Sequence, residues 1–447
     1  MFDLILPLFS IILVFIFFVI LLWRKLKQNL FVELGIIYLG FVVLYTLIPG
    51  LGLLYAEYSA DINVGMLLEY IDASKADLAF HLWRHFLFAI TFAGSYYYFR
   101  TNNRIVSTRL NDSSPITIYF LIFLIAFSIA ILFLLSAPVN GYLEHYTRYD
   151  HLPTSLRKIV SFVIRFKMGF YTILLTILFS NYKQYKLFVF FVVASLCITE
   201  TIYSHGSRIY SLIILLQCFF LYNYFVKAVT LKFVIVTSLS LMTLYSAIEI
   251  IRLQDVETVD VQDSISETGI GIPAELGAVY VPSFQLYNDR NKNTLPPKDW
   301  QMFFYDFISP FTFNSDTRWN PMYWYGVNYY PLSEVPPFTI GPIAESAIWG
   351  GEVDLFFRGI INGLFFAFIV KWFILRREKF WAVTIYVYCF SFSIITIKYS
   401  IFFYLTPLVK ELIPTVFITM FIIFLVRGKR DRGTRLLQPV VVNNEIE

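Results

Sequence analysis

Residues Leu187–Val226 read LFVFFVVASLCITETIYSHGSRIYSLIILLQCFFLYNYFV. Two apolar runs, Leu187–Tyr203 and Ile209–Phe225, flank a short link that holds His205 and Arg208, with Glu200 just before it. Each run approaches the roughly 20 residues that a helix needs to cross a bilayer. The stretch therefore reads as two membrane helices with an arginine at the mouth of the second.

Composition extends that reading to the whole chain. Of 447 residues, 58% are hydrophobic, 19% aromatic and only 15% charged. A soluble domain of this length could not cover so much apolar surface. Apolar runs recur at approximately 4–23, 32–55, 78–99, 115–136, 158–180, 187–204, 208–226, 232–251, 354–372, 380–403 and 406–426. The expected fold is an all-α polytopic membrane protein with about 11 transmembrane helices. The first eight fall within 1–251, a large loop region with short helices occupies 252–353, the last three fall within 354–427, and 428–447 forms a tail. The first run lacks the basic segment and small-residue cleavage site of a signal peptide, so it reads as a retained helix. Cys197, Cys218 and Cys389 lie inside apolar segments and show neither a disulfide framework nor zinc spacing.

The basic residues set the orientation. Alternate connections carry Arg24/Lys25/Lys27, Arg100/Arg104/Arg109, Lys183/Lys186, Lys227/Lys232 and Lys371/Arg376/Arg377/Lys379, and the tail adds Arg427, Lys429, Arg430, Arg432 and Arg435. All share one side if the N-terminus is outside and the C-terminus is cytoplasmic. The net charge of +4 is thus a matter of topology and not of nucleic acid. The outer face receives the loops 56–77 and 137–157, the link at His205–Ser207 and the large segment 252–353.

Arg84, Arg165, Lys167, Arg208, Arg252, Lys398 and Lys410 then fall in membrane segments or at their outer ends. Arg165 sits about seven residues below the predicted outer end of its helix, roughly 10 Å deep. A basic residue near a helix centre costs about 2.5–3.5 kcal/mol, so such a set asks for a reason. One is snorkelling or pairing with Glu200, Glu249 or Glu411. The other, favoured by the small number of acids at that level, is a shared anionic guest. Arginine suits phosphate because its planar fork bonds bidentately.

The segment 252–353 is longer than a transporter loop requires. It opens with the acidic DVETVDVQDSISETG and closes with WNPMYWYGVNYYPLSEVPPF. Tyr323, Trp324, Tyr325, Tyr329 and Tyr330 offer either flat faces for sugar rings or an interfacial aromatic belt. FTIGPIAESAIWGG follows. Pro342 fits a helical first turn with Gly341 at the cap, and Gly350–Gly351 ends it, which predicts a helix too short to span. It is expected to lie against or partly enter the outer leaflet. Glu345 in its first turn either complements the helix dipole or acts as a general base beside a phosphate-ready pocket.

FFYDFISPFTFNSDTRWNPMYWYGVNYY followed by FTIGPIAESAIWGG resembles the late outer-loop region of Wzy-type O-antigen or oligosaccharide repeat-unit polymerases, and SHGSR before an apolar helix is similar to their small-residue-plus-arginine element. The resemblance implies an inverting, metal-independent glycosyltransferase of the bacterial inner membrane, with no cofactor. It would join repeat units carried on undecaprenyl diphosphate at the periplasmic face, so its partners are lipid-linked donor and acceptor, the bilayer and a chain-length regulator. It implies that Arg208 and Arg252 hold the donor diphosphate; Arg165, from its depth, and Arg318, in the loop element before the aromatic run, are the further candidates for that role. A positioned base must deprotonate the acceptor hydroxyl, and Glu345 ranks above His205 and Asp316 for that role. His205 could instead orient phosphate. Tyr325, Tyr329 and Trp324 are the candidate glycan contacts. An O-antigen ligase uses the same chemistry on a lipid A core acceptor, and a flippase or transporter of lipid-linked sugars is the alternative from another class.

Overall fold

The computed structural model describes residues 9, 32–47, 49–51, 75–100, 105, 153–203, 209–230, 279–308, 311, 320–329, 340–399, 405–417 and 419–421. Every regular element among them is helical. In chain order they are α1 (Leu34–Val42), α2 (Lys75–Phe99), α3 (Thr154–Ser180), α4 (Tyr182–Tyr203) and α5 (Ile209–Leu221). Helical residues 279–292 are α6, followed by α7 (Trp300–Ile308), α8 (Pro321–Tyr329) and α9 (Pro342–Trp349). α10 (Glu352–Arg376), α11 (Phe380–Phe392), α12 (Ile395–Lys398) and α13 (Leu405–Pro407) follow, and π-helical turns at Val43–Leu47, Tyr222–Val226 and Leu408–Leu412 extend α1, α5 and α13.

Three described helical stretches are long and apolar enough to cross a membrane: Leu34–Leu51, Ile209–Val226 and Glu352–Arg376. They match the second, seventh and ninth expected spans. The third, fifth and sixth expected spans are also helical, as α2, α3 and α4. The expected spans at 4–23, 115–136 and 232–251 lie outside the described residues, residue 9 apart.

α2 and α10 form the central pair and run parallel. Glu352 meets Arg84, Gly359 lies against Thr91 and the Phe88 carbonyl, and Gly363 lies against Ser95 and the Phe92 carbonyl. Numbers rise together along both helices, so the two run in the same direction. The motif is Gly359-Ile-Ile-Asn-Gly363, whose missing side chains let the two backbones touch. Thr91 and Ser95 return their hydroxyls to their own helix, to the Leu87 and Thr91 carbonyls, at 2.9 and 2.8 Å. At the far end of α2, Arg100 forms a buried ion pair with Glu33, the residue before α1, and Tyr96 also donates to that carboxylate. The end of α2 and the start of α1 therefore share one membrane side.

The expected span at 380–403 is not one helix. α11 stops at Phe392, a turn at Ser393–Ile394 follows, and α12 resumes for one turn. The hydroxyls of Ser391, Ser393 and Thr396 donate to the carbonyls of Tyr388, Phe390 and Ser393 at 3.0, 2.7 and 2.7 Å. Three successive bonds of this kind compete with the helical ladder. Elsewhere in the bundle the amide of Gln217 on α5 donates to Thr172 on α3 at 2.8 Å and to Ser391 at 3.3 Å. A buried polar side chain thereby ties three helices together.

Candidate functional site

The polar residues of the described outer region gather around α9. Gly341 caps it, Pro342 occupies its first turn, and the Gly350 and Gly351 amides both donate to the Ser346 carbonyl at 3.1 and 2.7 Å. Gly351 has φ +64°, and a side chain there would also strike the Arg290 guanidinium. Only glycine meets both demands. The expected helix and its ends are therefore present. Pro342 through Ile348 are buried, against α10, α12 and α2. α9 is thus an internal helix of the protein, and α6 closes over it through Tyr287 and Arg290.

Those groups satisfy the end of α9 that carries the negative dipole. Arg290 on α6 donates to the carbonyls of Ala347 and Trp349 at 2.9 and 3.3 Å. Lys298 donates to the Ile348 carbonyl and stands 5.1 Å from the Trp349 ring. Burial, then the Arg290 charge, lowers the Lys298 pKa. Tyr287 on α6 and Ser346 share a hydrogen bond of 2.8 Å.

At the other end Glu345 is buried and ion-paired with Arg358, whose guanidinium also holds Asp354 at 2.7 Å. This arrangement directs the Glu345 carboxylate at Arg358 of α10. Arg84 pairs with Glu352 at 2.8 Å and lies 4.1 Å from the Tyr287 ring.

Beneath this layer, His81, His85 and Ser283 form a closed triangle. His81 Nε2 and His85 Nε2 lie 2.8 and 3.1 Å from Ser283 Oγ and 3.0 Å from each other. A serine between two imidazoles is an arrangement that nucleophilic catalysis employs. Here all three are buried and Ser283 donates its proton to the Tyr280 carbonyl at 2.7 Å. The triangle fastens α6 to α2.

The cations expected to face an anionic guest have partners where they are described. Arg84 has Glu352, Lys167 is buried against Glu200 at 2.6 Å, and Lys398 lies 5.1 Å from the Tyr45 ring. The acids at this level thus suffice for the first two, contrary to the expectation of too few. His205, Arg208, Arg252, Asp316 and Arg318 lie outside the described residues. Arg165 falls on α3, and its side chain is likewise outside them.

The expected glycan platform is also altered. Trp324 and Tyr325 are buried, with Trp324 Nε1 donating to the Pro297 carbonyl at 2.9 Å and Tyr325 to Gln285 at 2.5 Å. Tyr329 donates to Asp289 at 2.6 Å and stacks on Tyr325 at 4.8 Å. These rings spend their faces and polar edges docking α8 onto α6. Among the described members of the run, Tyr323 is the exposed one.

No family model, curated protein or solved structure matches this chain. What the geometry adds to the sequence is a pair of arginines, Arg290 and Arg358, which had carried no visible signal apart from the Asp354–Arg358 spacing of four residues. The spacing of His81 and His85 was the other overlooked cue, since it places both rings on one helix face.

Proposed function

We propose that the protein is an inner-membrane glycosyltransferase that polymerises undecaprenyl-diphosphate-linked repeat units at the periplasmic face. One observation carries the reading: the segment whose sequence resembles the outer loop of such polymerases contributes α7, α8 and α9, of which α8 and α9 pack with α6 beside the Arg84–Glu352 ends of α2 and α10. A lipid-borne diphosphate lies at that depth, so the donor would be presented there without leaving the bilayer.

In this reaction the growing glycan leaves its lipid diphosphate as an acceptor hydroxyl attacks the anomeric carbon from the opposite face. Fixed guanidinium groups stabilise the leaving charge. The guanidinium groups of Arg84, Arg290 and Arg358 are engaged by acids or carbonyls, so the clamp falls to Arg208 and Arg252, supported by Arg165 and Arg318. Glu345 is engaged by Arg358, so deprotonation of the acceptor passes to His205 or Asp316. A transporter of lipid-linked sugars is the second reading, favoured by the break at Ser393–Ile394, since discontinuous helices mark transporter sites.

Deletion of the gene tests the proposal. A polymerase leaves surface lipid capped with single repeat units. A ligase leaves no attached glycan, and a flippase leaves lipid-linked units stranded at the cytoplasmic face. Either of the last two outcomes replaces the reading.

A further inference from the structure

The sequence places Trp300, Phe303, Phe304, Ile308 and Phe311 at helical spacing, an apolar stripe of the kind that normally packs inward. α7 turns it outward. Trp300 and Phe304 are 71% and 52% exposed, Phe303 and Ile308 are exposed beside them, and Phe311, beyond the end of α7, is 72% exposed. Met302, on the opposite side of the helix, is buried. Asp299 fixes the start by accepting from the Gln301 amide at 2.9 Å, so the stripe's direction follows from a capped helix.

We propose that α7 is an interfacial helix, lying in the outer leaflet with this stripe against the acyl chains. Its surroundings identify lipid as the occupant. Trp300 and Phe303 each sit 5.3 Å from Trp349, which stands immediately before the two glycines that start α10. α10 is long and apolar enough to cross a membrane, and its first turns leave Val353, Phe356 and Phe357 bare. α7 also touches α13, at the start of the last expected span. The bare stripe therefore sits at the outer ends of membrane helices, where aromatic residues concentrate and amphipathic helices bury one face. In water the same five side chains would form an aggregation-prone patch. The inference rests on the bilayer crossing alone and is independent of glycosyl transfer.

The test places nitroxides at Trp300→Cys, Phe304→Cys, Ile308→Cys and Phe311→Cys, one at a time, in the full chain with its three native cysteines changed to alanine and reconstituted in phosphatidylethanolamine/phosphatidylglycerol vesicles. Collision with oxygen should exceed collision with a water-soluble nickel chelate severalfold at all four positions, and the three on α7 should lie at similar depths because the helix lies in the membrane plane. Greater access to the nickel chelate overturns the proposal. So does protection from both probes with spin–spin broadening between copies, which would mark a protein-covered interface. Should the cysteine-free chain fail to insert, brominated lipid provides the second measurement. Wild-type fluorescence should contain a quenched component that Trp300→Phe removes, and unchanged quenching overturns the proposal equally.

Discussion

Lys167 on α3 and Glu200 on α4 meet at 2.6 Å with both side chains buried, and the Tyr171 hydroxyl donates to the same carboxylate at 3.1 Å. The Lys167 ammonium also lies 5.0 Å from the Tyr210 ring on α5. A cation that the sequence offers as a binding group is thus neutralised where three helices meet.

Removing one charge of this pair should therefore cost stability rather than substrate affinity. Glu200→Gln strands a buried ammonium, and the expected loss is about 3–5 kcal/mol. Combining Lys167→Met with Glu200→Leu should recover most of it, since apolar replacements of similar volume need no desolvation. Equilibrium unfolding in detergent measures both. Equal destabilisation in the single and double variants would show that the pair is not what holds α3 to α4.

Glu345 can be judged in the same way, with turnover as a second readout. As the partner of Arg358, Glu345→Gln should lose about 1.5–3 kcal/mol, the value of a hydrogen bond to a charged group, since Arg358 retains Asp354. Glu345→Leu with Arg358→Met should then restore both folding and repeat-unit polymerisation. A catalytic base behaves otherwise: removing it costs roughly 10² to 10⁴ in rate, and no change at Arg358 returns it. A folded but inactive double variant would reinstate Glu345 as the base.

Local rules carried far in this chain where a feature depends on few residues. Gly341-Pro342 and Gly350-Gly351 bound α9 because caps and breakers act within one turn. Apolar length likewise marked the spans that became α1, α5 and α10. What could not be read was which face of each short helix turns inward. Trp324 and Tyr325 are as suited to a sugar as to a core, and their burial is decided by Gln285 and Pro297, some 27 to 40 residues away in sequence. The stripe on α7 looks like a core face and points out, because its counterpart is lipid. Arg358 could be matched to Asp354 from spacing, but its pairing with Glu345 depends on the turn between α9 and α10.

The α2–α10 contact supplies a packing prediction. A side chain at position 363 would run into the Phe92 carbonyl and approach the Tyr96 amide to 2.9 Å, and these backbone atoms cannot yield as a flexible side chain can. Gly363→Val should therefore cost about 1–3 kcal/mol by overpacking. Gly94, on the same helix α2, has nothing within 4 Å of an added Cβ, so Gly94→Ala should be neutral or slightly stabilising. Thermal unfolding of both variants in detergent distinguishes them. Equal stability would mean that the two backbones do not touch along this seam.

Orientation is the prediction on which the periplasmic reading depends. Asp77 lies in the first turn of α2 and Glu378 in the turn after α10, both exposed, and the parallel packing of those helices puts the two positions on opposite membrane sides. Lys371, Arg376, Arg377 and Lys379 surround Glu378, which leads us to expect that end in the cytoplasm, while Asp77 closes the acidic loop 56–77. In intact cells with the outer membrane permeabilised, a membrane-impermeant maleimide should modify Asp77→Cys and leave Glu378→Cys untouched. Disrupting the inner membrane should make both reactive, which controls for burial. Labelling of both in intact cells would contradict the parallel pair of helices. Labelling of Glu378→Cys alone would keep the pair and invert it. The segment 252–353 would then face the cytoplasm, where a periplasmic polymerase has no use for it.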